Sequence, residues 1–160
     1  METKTLLRTG GVLLAVVALA AWLSALHIQL LLIHGDSMAP AYRSGALVLL
    51  EKRPETLARG DVLLVRSEAM GRSLVKRIAA MEGDALTVRG DRLFVNGEDV
   101  APLPPPEDRP AFLSETPFVL PEGSLFLLGD RLEASVDSRD ARVGLLSVAD
   151  VRGRVCFPRR

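Results

Sequence analysis

The pattern of apolar and polar positions splits the chain in two near residue 26. From Gly10 to Leu26 the sequence reads GGVLLAVVALAAWLSAL, without a charge. Apolar side chains fall on every face of the helix this run predicts, so it is not the one-sided helix of a globular surface. With Leu6 and Leu7 it approaches the roughly 20 residues that a bilayer requires. Trp22 lies near its outer end, where a membrane interface favours an aromatic ring, and Lys4 and Arg8 precede it, which predicts a cytoplasmic N-terminus. A cleaved leader has the same basic start, and Ala18-Leu19-Ala20 has the form of a cleavage site. The run is, however, longer than the usual h-region of roughly 7–15 residues. A core helix this apolar needs a larger protein around it. The expected organisation is a cytoplasmic N-terminus over residues 1–9, a transmembrane anchor over 10–26 and an extracytoplasmic domain over 27–160.

Beyond Leu26 the helical pattern gives way to short apolar runs separated by turn residues, which predict strands. The runs are His27–Ile33, Ala46–Leu50, Asp61–Arg66, Leu74–Met81, Ala85–Arg89, Arg92–Val95, Pro117–Leu120, Ser124–Leu128, Gly144–Leu146 and Val151–Phe157. Gly90-Asp91 and Asn96-Gly97 flank one short strand and predict a hairpin. Ala101–Pro110, APLPPPEDRP, is too rich in proline for a helix or a central strand and is expected to be an exposed extended loop. The fold class is therefore mainly β, an antiparallel sheet or barrel carried by one N-terminal helix. Roughly 130 residues suffice for one core of modest size.

Composition changes this picture little. The 160 residues contain 20 Lys+Arg and 20 Asp+Glu, a balance that gives no reason to expect a nucleic-acid partner. The single cysteine, Cys156, excludes an internal disulfide framework and a cysteine metal cage, and reads as a buried thiol in a late strand. Arg152, Arg154, Arg159 and Arg160 read as solvated rather than lipid-bound.

Three segments could carry chemistry. Gly35-Asp36-Ser37-Met38-Ala39-Pro40 places a serine on a turn directly after an apolar strand; Gly35 lets a substrate backbone come close and Pro40 fixes the exit. By itself Gly-Asp-Ser is more often an ordinary polar turn. A serine nucleophile needs a base. His27 lies at the expected membrane boundary, and the ring of His34 need not face the hydroxyl of Ser37. A neutral lysine serves instead when apolar surroundings lower its pKa from about 10.4. Lys76 fits, since it lies in the apolar run Leu74–Ala80, where strand alternation puts Lys76 and Ile78 on one face and Arg77 on the other. A solvated strand face is the plainer alternative. The third segment, Gly129–Arg139, is dense in hydroxyl, carboxylate and guanidinium groups. Ser135 could orient a buried amine, and Asp137 and Arg139 could pair.

Taken together and in order, these segments resemble the type I signal peptidases, the Ser-Lys proteases that remove signal peptides. The serine motif resembles Gly35–Pro40 and the second box Arg59-Gly60-Asp61-Val62. The lysine box resembles Val75-Lys76-Arg77-Ile78 with Gly83-Asp84, continued by Leu93-Phe94-Val95-Asn96-Gly97. The last box resembles Gly129-Asp130, Ser135 and Asp137-Ser138-Arg139. The resemblance implies Ser37 as nucleophile, Lys76 as general base, Ser135 as the group orienting Lys76, and Asp137 and Arg139 as supports. It implies that Ile33, Gly35, Asp36, Met38 and Val75 bind substrate, with pockets that take only small side chains and cleavage after Ala-X-Ala. A backbone N–H at Ser37 would serve the oxyanion hole. The hydroxyl that some members carry two positions earlier is replaced by Gly35, and Arg131-Leu132-Glu133-Ala134 stands where bacterial members carry Asn-Arg-Asp-Asn. Lysine, not histidine, at the base position resembles a bacterial form. No metal or cofactor is implied. The partners are preprotein signal peptides and membrane lipid, the location is the cell membrane in a single pass, and a second lobe is expected to be reduced to about residues 90–118.

Other readings share some of these residues. Ser73-Leu74-Val75-Lys76 has the S-x-x-K form of penicillin-binding proteins, but S-D-N and K-T-G are missing and the segment reads as strand, not helix. The expected anchor disfavours a repressor-type autoprotease; a conjugation-pilin maturase on the same fold and a membrane-tethered binding protein with an inactive site are the remaining alternatives.

Overall fold

A computed structural model describes residues 12, 14, 16–18, 21, 22 and 27–158. The expected anchor falls largely outside them. Its described members are helical, and Val12, Leu14, Val16, Val17 and Trp22 are exposed. Among the described residues no helix is long and apolar enough to cross a membrane.

The rest is built of eleven strands: β1 (Ile28–Leu32), β2 (Leu47–Glu51), β3 (Val62–Ser67), β4 (Arg72–Met81), β5 (Ala85–Arg89), β6 (Arg92–Val95), β7 (Glu98–Pro102), β8 (Phe118–Val119), β9 (Ser124–Leu128), β10 (Leu146–Ser147) and β11 (Val151–Phe157). They form two antiparallel sheets, one of seven strands in the order β1-β2-β11-β3-β4-β9-β10 and one of four in the order β7-β6-β5-β8. Because four antiparallel steps separate β1 from β4, these two strands run in the same direction.

Alternating side chains sort into three apolar clusters. One, around Leu86, Leu93, Val95 and Phe126, joins the two sheets. A second lies around Leu63, Val65, Leu74, Ile78 and Leu127. The third, around Ile33, Met38, Tyr42, Val48 and Val155, anchors the loop after β1. The Met38 side chain is a core member of this cluster, so Ser37 stands on a turn whose next residue is locked in place.

Three sequence expectations need correcting. Ala101–Pro110 is not simply an exposed loop: β7 reaches Pro102, Ala101 is fully buried, Pro110 is buried, and residues 106–108 form a 3₁₀ turn. The prolines tolerate this because β7 is an edge strand and Pro102 is its last residue. Cys156 is only half-buried, with its thiol against the Leu49 carbonyl at 3.4 Å. Arg154 is not solvated, since it bonds Glu51 at 2.7 Å and Asp61 at 3.3 Å.

Candidate active site

The loop after β1 turns sharply at Gly35, whose φ of +85° favours glycine. This backbone angle, and not close packing, is what the position requires, because a Cβ there would meet nothing within 4 Å. The Gly35 N–H donates to Ser44 Oγ at 3.2 Å, and Asp36 Oδ1 accepts the Ser44 N–H at 3.3 Å. Asp36 therefore braces its own loop. The Ser37 carbonyl accepts the Arg131 N–H at 2.9 Å, which ties the serine turn to the segment after β9.

Lys76 lies in β4, opposite Leu63 of β3, on the face that also carries Leu74 and Ile78. It is 3% exposed. Burial removes the ammonium from water and is the main cause that lowers its pKa from 10.5 to about 8. Asp137 and Asp130 oppose the shift, while Arg139 and Arg72 assist it. The amine donates to Ser135 Oγ at 2.9 Å. Among the described residues, the Ser37 hydroxyl is not one of its hydrogen-bond partners. Such contacts often tighten only once substrate is bound.

Ser135 is held by a loop braced by hydrogen bonds. Arg139 grips Asp137 with two bonds of 2.9 and 3.0 Å, and Asp137 accepts the Gly129 N–H at 3.0 Å. The other Arg139 donors reach the carbonyls of Pro102 and Leu132 at 2.8 Å. Ser138 pairs with Leu127 through both its N–H and its hydroxyl, at 3.0 Å each, which pins the loop along β9. Gly129 closes the arrangement: a Cβ there would lie 2.2 Å from Ser135 Oγ and 2.6 Å from the Ser37 carbonyl oxygen. Only glycine lets the two serine-bearing loops approach this closely.

Two braces had no individual sequence signal beyond their place in the motifs. Arg77 forks onto Asp130 at 2.8 and 2.7 Å and donates to the Gly60 carbonyl at 2.8 Å. Asp84 binds the Arg59 guanidinium, the Asn96 amide at 2.9 Å and the Met81 N–H at 2.9 Å. Burial opposes ionisation of Asp84, yet these donors together hold its pKa below the usual carboxylate range. The charged residues of the second, lysine and last motifs thus hold one another.

Ser37 and Lys76 line one groove of about 400 Å³, together with Leu31–Asp36, Met38, Leu64, Arg72–Val75, Ala134 and Val136. Ile33, Gly35, Asp36, Met38 and Val75, the expected substrate residues, all lie on its walls. His34 lines it too, but its ring is exposed and bonds the Leu32 carbonyl at 3.1 Å. His27 is exposed at the start of β1 and lines a different cleft. Two roomier clefts, of about 520 and 560 Å³, are lined by no buried titratable side chain and hold neither Ser37 nor Lys76. Volume is therefore a poorer guide to the chemistry than the buried amine. Among the described residues no cluster of His, Cys, Asp or Glu is arranged to hold a metal ion.

The sequence matches the family described as signal peptidase, peptidase S26, over residues 6–159. The chain belongs to this family. It is a peptidase of the signal peptidase I type. It is 28% identical to signal peptidase I U of Bacillus subtilis, covering 89% of this chain and 82% of that protein. It is 29% identical to signal peptidase I T of the same organism, covering 98% and 86%. A mitochondrial ATP-independent inner membrane protease subunit 1a of Arabidopsis thaliana is 35% identical, over 67% of this chain and 56% of that one. A crystal structure of a signal peptidase I from Enterococcus faecalis superimposes with a TM-score of 0.46 at 24% identity, covering 64% of this chain and 99% of that one.

Proposed function

We propose that this chain is a membrane-anchored serine endopeptidase that removes N-terminal signal peptides from exported preproteins after small residues of the Ala-X-Ala type. Ser37 is the nucleophile and Lys76 the general base. The observation that carries the reading is the Lys76 amine, buried against apolar side chains, aligned by Ser135 at 2.9 Å and lining the same groove as Ser37.

In this mechanism neutral Lys76 takes the Ser37 hydroxyl proton as the oxygen attacks the carbonyl that ends the signal peptide. The Ser37 N–H stabilises the oxyanion. Lys76 returns the proton to the leaving amine and the mature protein departs. It then activates water, which releases the signal peptide from Ser37. The substrate adds as an extended strand between the segment leading into Ser37 and Arg72–Lys76. β4 favours this, because β9 pairs only with Arg77–Met81 and leaves the same edge of Arg72–Lys76 open.

The anchor occupies residues 10–26 with residues 1–9 cytoplasmic, and residues 27–160 form the extracytoplasmic catalytic domain with a small lobe at about 90–118. Membrane contact is supported by Leu30, Leu32, Leu47 and Phe157, all exposed and, by strand register, on one face of β1, β2 and β11. The deciding experiment is cleavage of an Ala-X-Ala preprotein in detergent. Wild type should cut at the expected bond and Ser37→Ala should not; equal cleavage by both refutes the reading.

A further inference from the structure

The groove has two ends, and they differ in surroundings. Lys76 stands at the inner end, buried, with its pKa lowered to about 8. Arg72 stands at the outer end, exposed, on the same face of β4. They are four strand steps apart, about 13 Å at roughly 3.3 Å per residue. Arg59, Arg77, Arg139 and Arg154 are each committed to a carboxylate. Among the described residues Arg72 is in no ion pair. Its fixed charge thus faces whatever occupies the mouth of the groove. The carboxylate on the opposite wall, Asp36, is bonded within its own loop.

We propose that Arg72 is a specificity-determining residue that reads the charge of the substrate five residues before the cleaved bond, favouring Glu or Asp there and disfavouring Lys or Arg. The inference rests on the proposed peptidase reading, and it follows from register. A peptide lying along the open edge of β4 with its first residue before the cleaved bond beside Lys76 places its fifth beside Arg72. Direction follows from topology. β1 and β4 both run toward the Ser37–Lys76 end of the groove, and β1 begins directly after the proposed anchor. A substrate whose N-terminal part is still in the bilayer reaches the groove from that side and runs parallel to both strands. Arg72 therefore meets the signal-peptide side of the substrate, not the mature side.

The test uses the full-length protein in neutral detergent, so that lipid headgroups do not contribute. Two Ala-X-Ala peptides differ only in Glu or Lys at the fifth residue before the cleaved bond. At low ionic strength the wild type should favour the Glu peptide about five- to tenfold in kcat/KM, the scale of one attraction and one repulsion between exposed charges. Arg72→Glu should reverse the preference, Arg72→Gln should flatten it, and about 0.5 M salt should flatten it in the wild type. The positive charge of Arg72 also helps lower the pKa of Lys76, but the ratio of two peptides on one enzyme cancels any change at the base. Moving the Glu/Lys pair to the fifth residue after the cleaved bond should leave the ratio near one. A wild type indifferent to the first pair, a ratio unchanged by Arg72→Glu or Arg72→Gln, or a preference found only on the mature side overturns the proposal while leaving the peptidase reading intact. Equal cleavage of every peptide by Ser37→Ala overturns both. Should Arg72→Glu fold poorly, Arg72→Gln and the salt series on wild type carry the test.

Discussion

From Leu74 onward β4 keeps one alternation of buried and half-buried side chains, yet its two halves do different work. From Arg77 to Met81 the strand pairs with β9, while its other edge meets β3 at Arg77 and the Gly60-Asp61 backbone at Ile78. From Arg72 to Lys76 it pairs with β3 alone and turns its other edge to the groove. The change happens between two adjacent cations. Lys76 is buried and left without a carboxylate; Arg77, on the opposite face, is half-buried and forked onto Asp130. A site that adds a substrate strand must keep an edge unpaired, and such an edge also invites aggregation. Here the open stretch is short, recessed beside the serine turn and fronted by a charge.

The harshest way to break this contrast is to remove the base. Lys76→Met should lower kcat for an Ala-X-Ala peptide by at least about a thousandfold. It should also stabilise the protein. With the folded pKa lowered to about 8, an unfolded chain binds the proton that the folded one releases between about 8 and 10.5. The penalty is then fully present below pH 8 and relieved as pH rises toward 10.5, and it amounts to roughly 3 kcal/mol. Methionine removes it but leaves Ser135 Oγ without its donor, at about 1 kcal/mol. The net gain in urea unfolding at pH 7 should be about 1–2 kcal/mol, vanishing near pH 10. Loss of activity together with loss of stability would instead mark Lys76 as a structural residue. In the wild type, kcat/KM should rise with pH through about 8 and be about one hundredth of its plateau at pH 6; a flat profile is the contrary result.

Next in size is Gly129→Ala. The added methyl group cannot coexist with Ser135 Oγ and the Ser37 carbonyl as they stand. The two loops must part, and activity should fall by some tens of fold with Ser37 and Lys76 both present. Arg77→Met probes the half paired with β9 directly. It strips Asp130 of its bidentate partner and Gly60 of a donor, so unfolding free energy should fall by about 2 kcal/mol and kcat by about tenfold, with KM little changed. Lysine should rescue poorly, because one ammonium does not reproduce the fork. If Arg77→Lys restores full activity, charge alone and not geometry matters there.

Much of this arrangement was legible before any coordinates, for unequal reasons. Strand alternation alone separated Lys76 from Arg77, since a period of two leaves no freedom. β9 was legible because Ser124–Leu128 is an apolar run bounded by turn residues. β7 was not: Glu98 and Asp99 lead it and Pro102 ends it, and only its pairing with β6 makes Glu98–Pro102 a strand. The serine turn and the 129–139 segment were visible as motifs, but their closeness was not, because no local pattern reports a contact between residues 37 and 129. The structure supplies the reason for Gly129, a glycine after β9 whose φ does not call for one but whose neighbours leave no room for a side chain. Arg154 was misread because its partners, Glu51 and Asp61, are about a hundred residues away in the chain.

The smallest effect sharpens the comparison by holding geometry constant. Arg92 meets Asp99 with bonds of 2.6 and 3.0 Å, as tight a fork as Arg77 and Asp130 make. Both side chains are 42% exposed, against 27% and 16% for Arg77 and Asp130. In water the attraction is screened, and ordering two long side chains offsets what remains. Arg92→Ala, on the small sheet, should therefore leave Tm and kcat/KM unchanged within error, where Arg77→Met moves both. If the two substitutions destabilise equally, exposure is the wrong variable and hydrogen-bond geometry is the right one. The half of β4 paired with β9 would then owe its support to the fork alone, not to its distance from solvent.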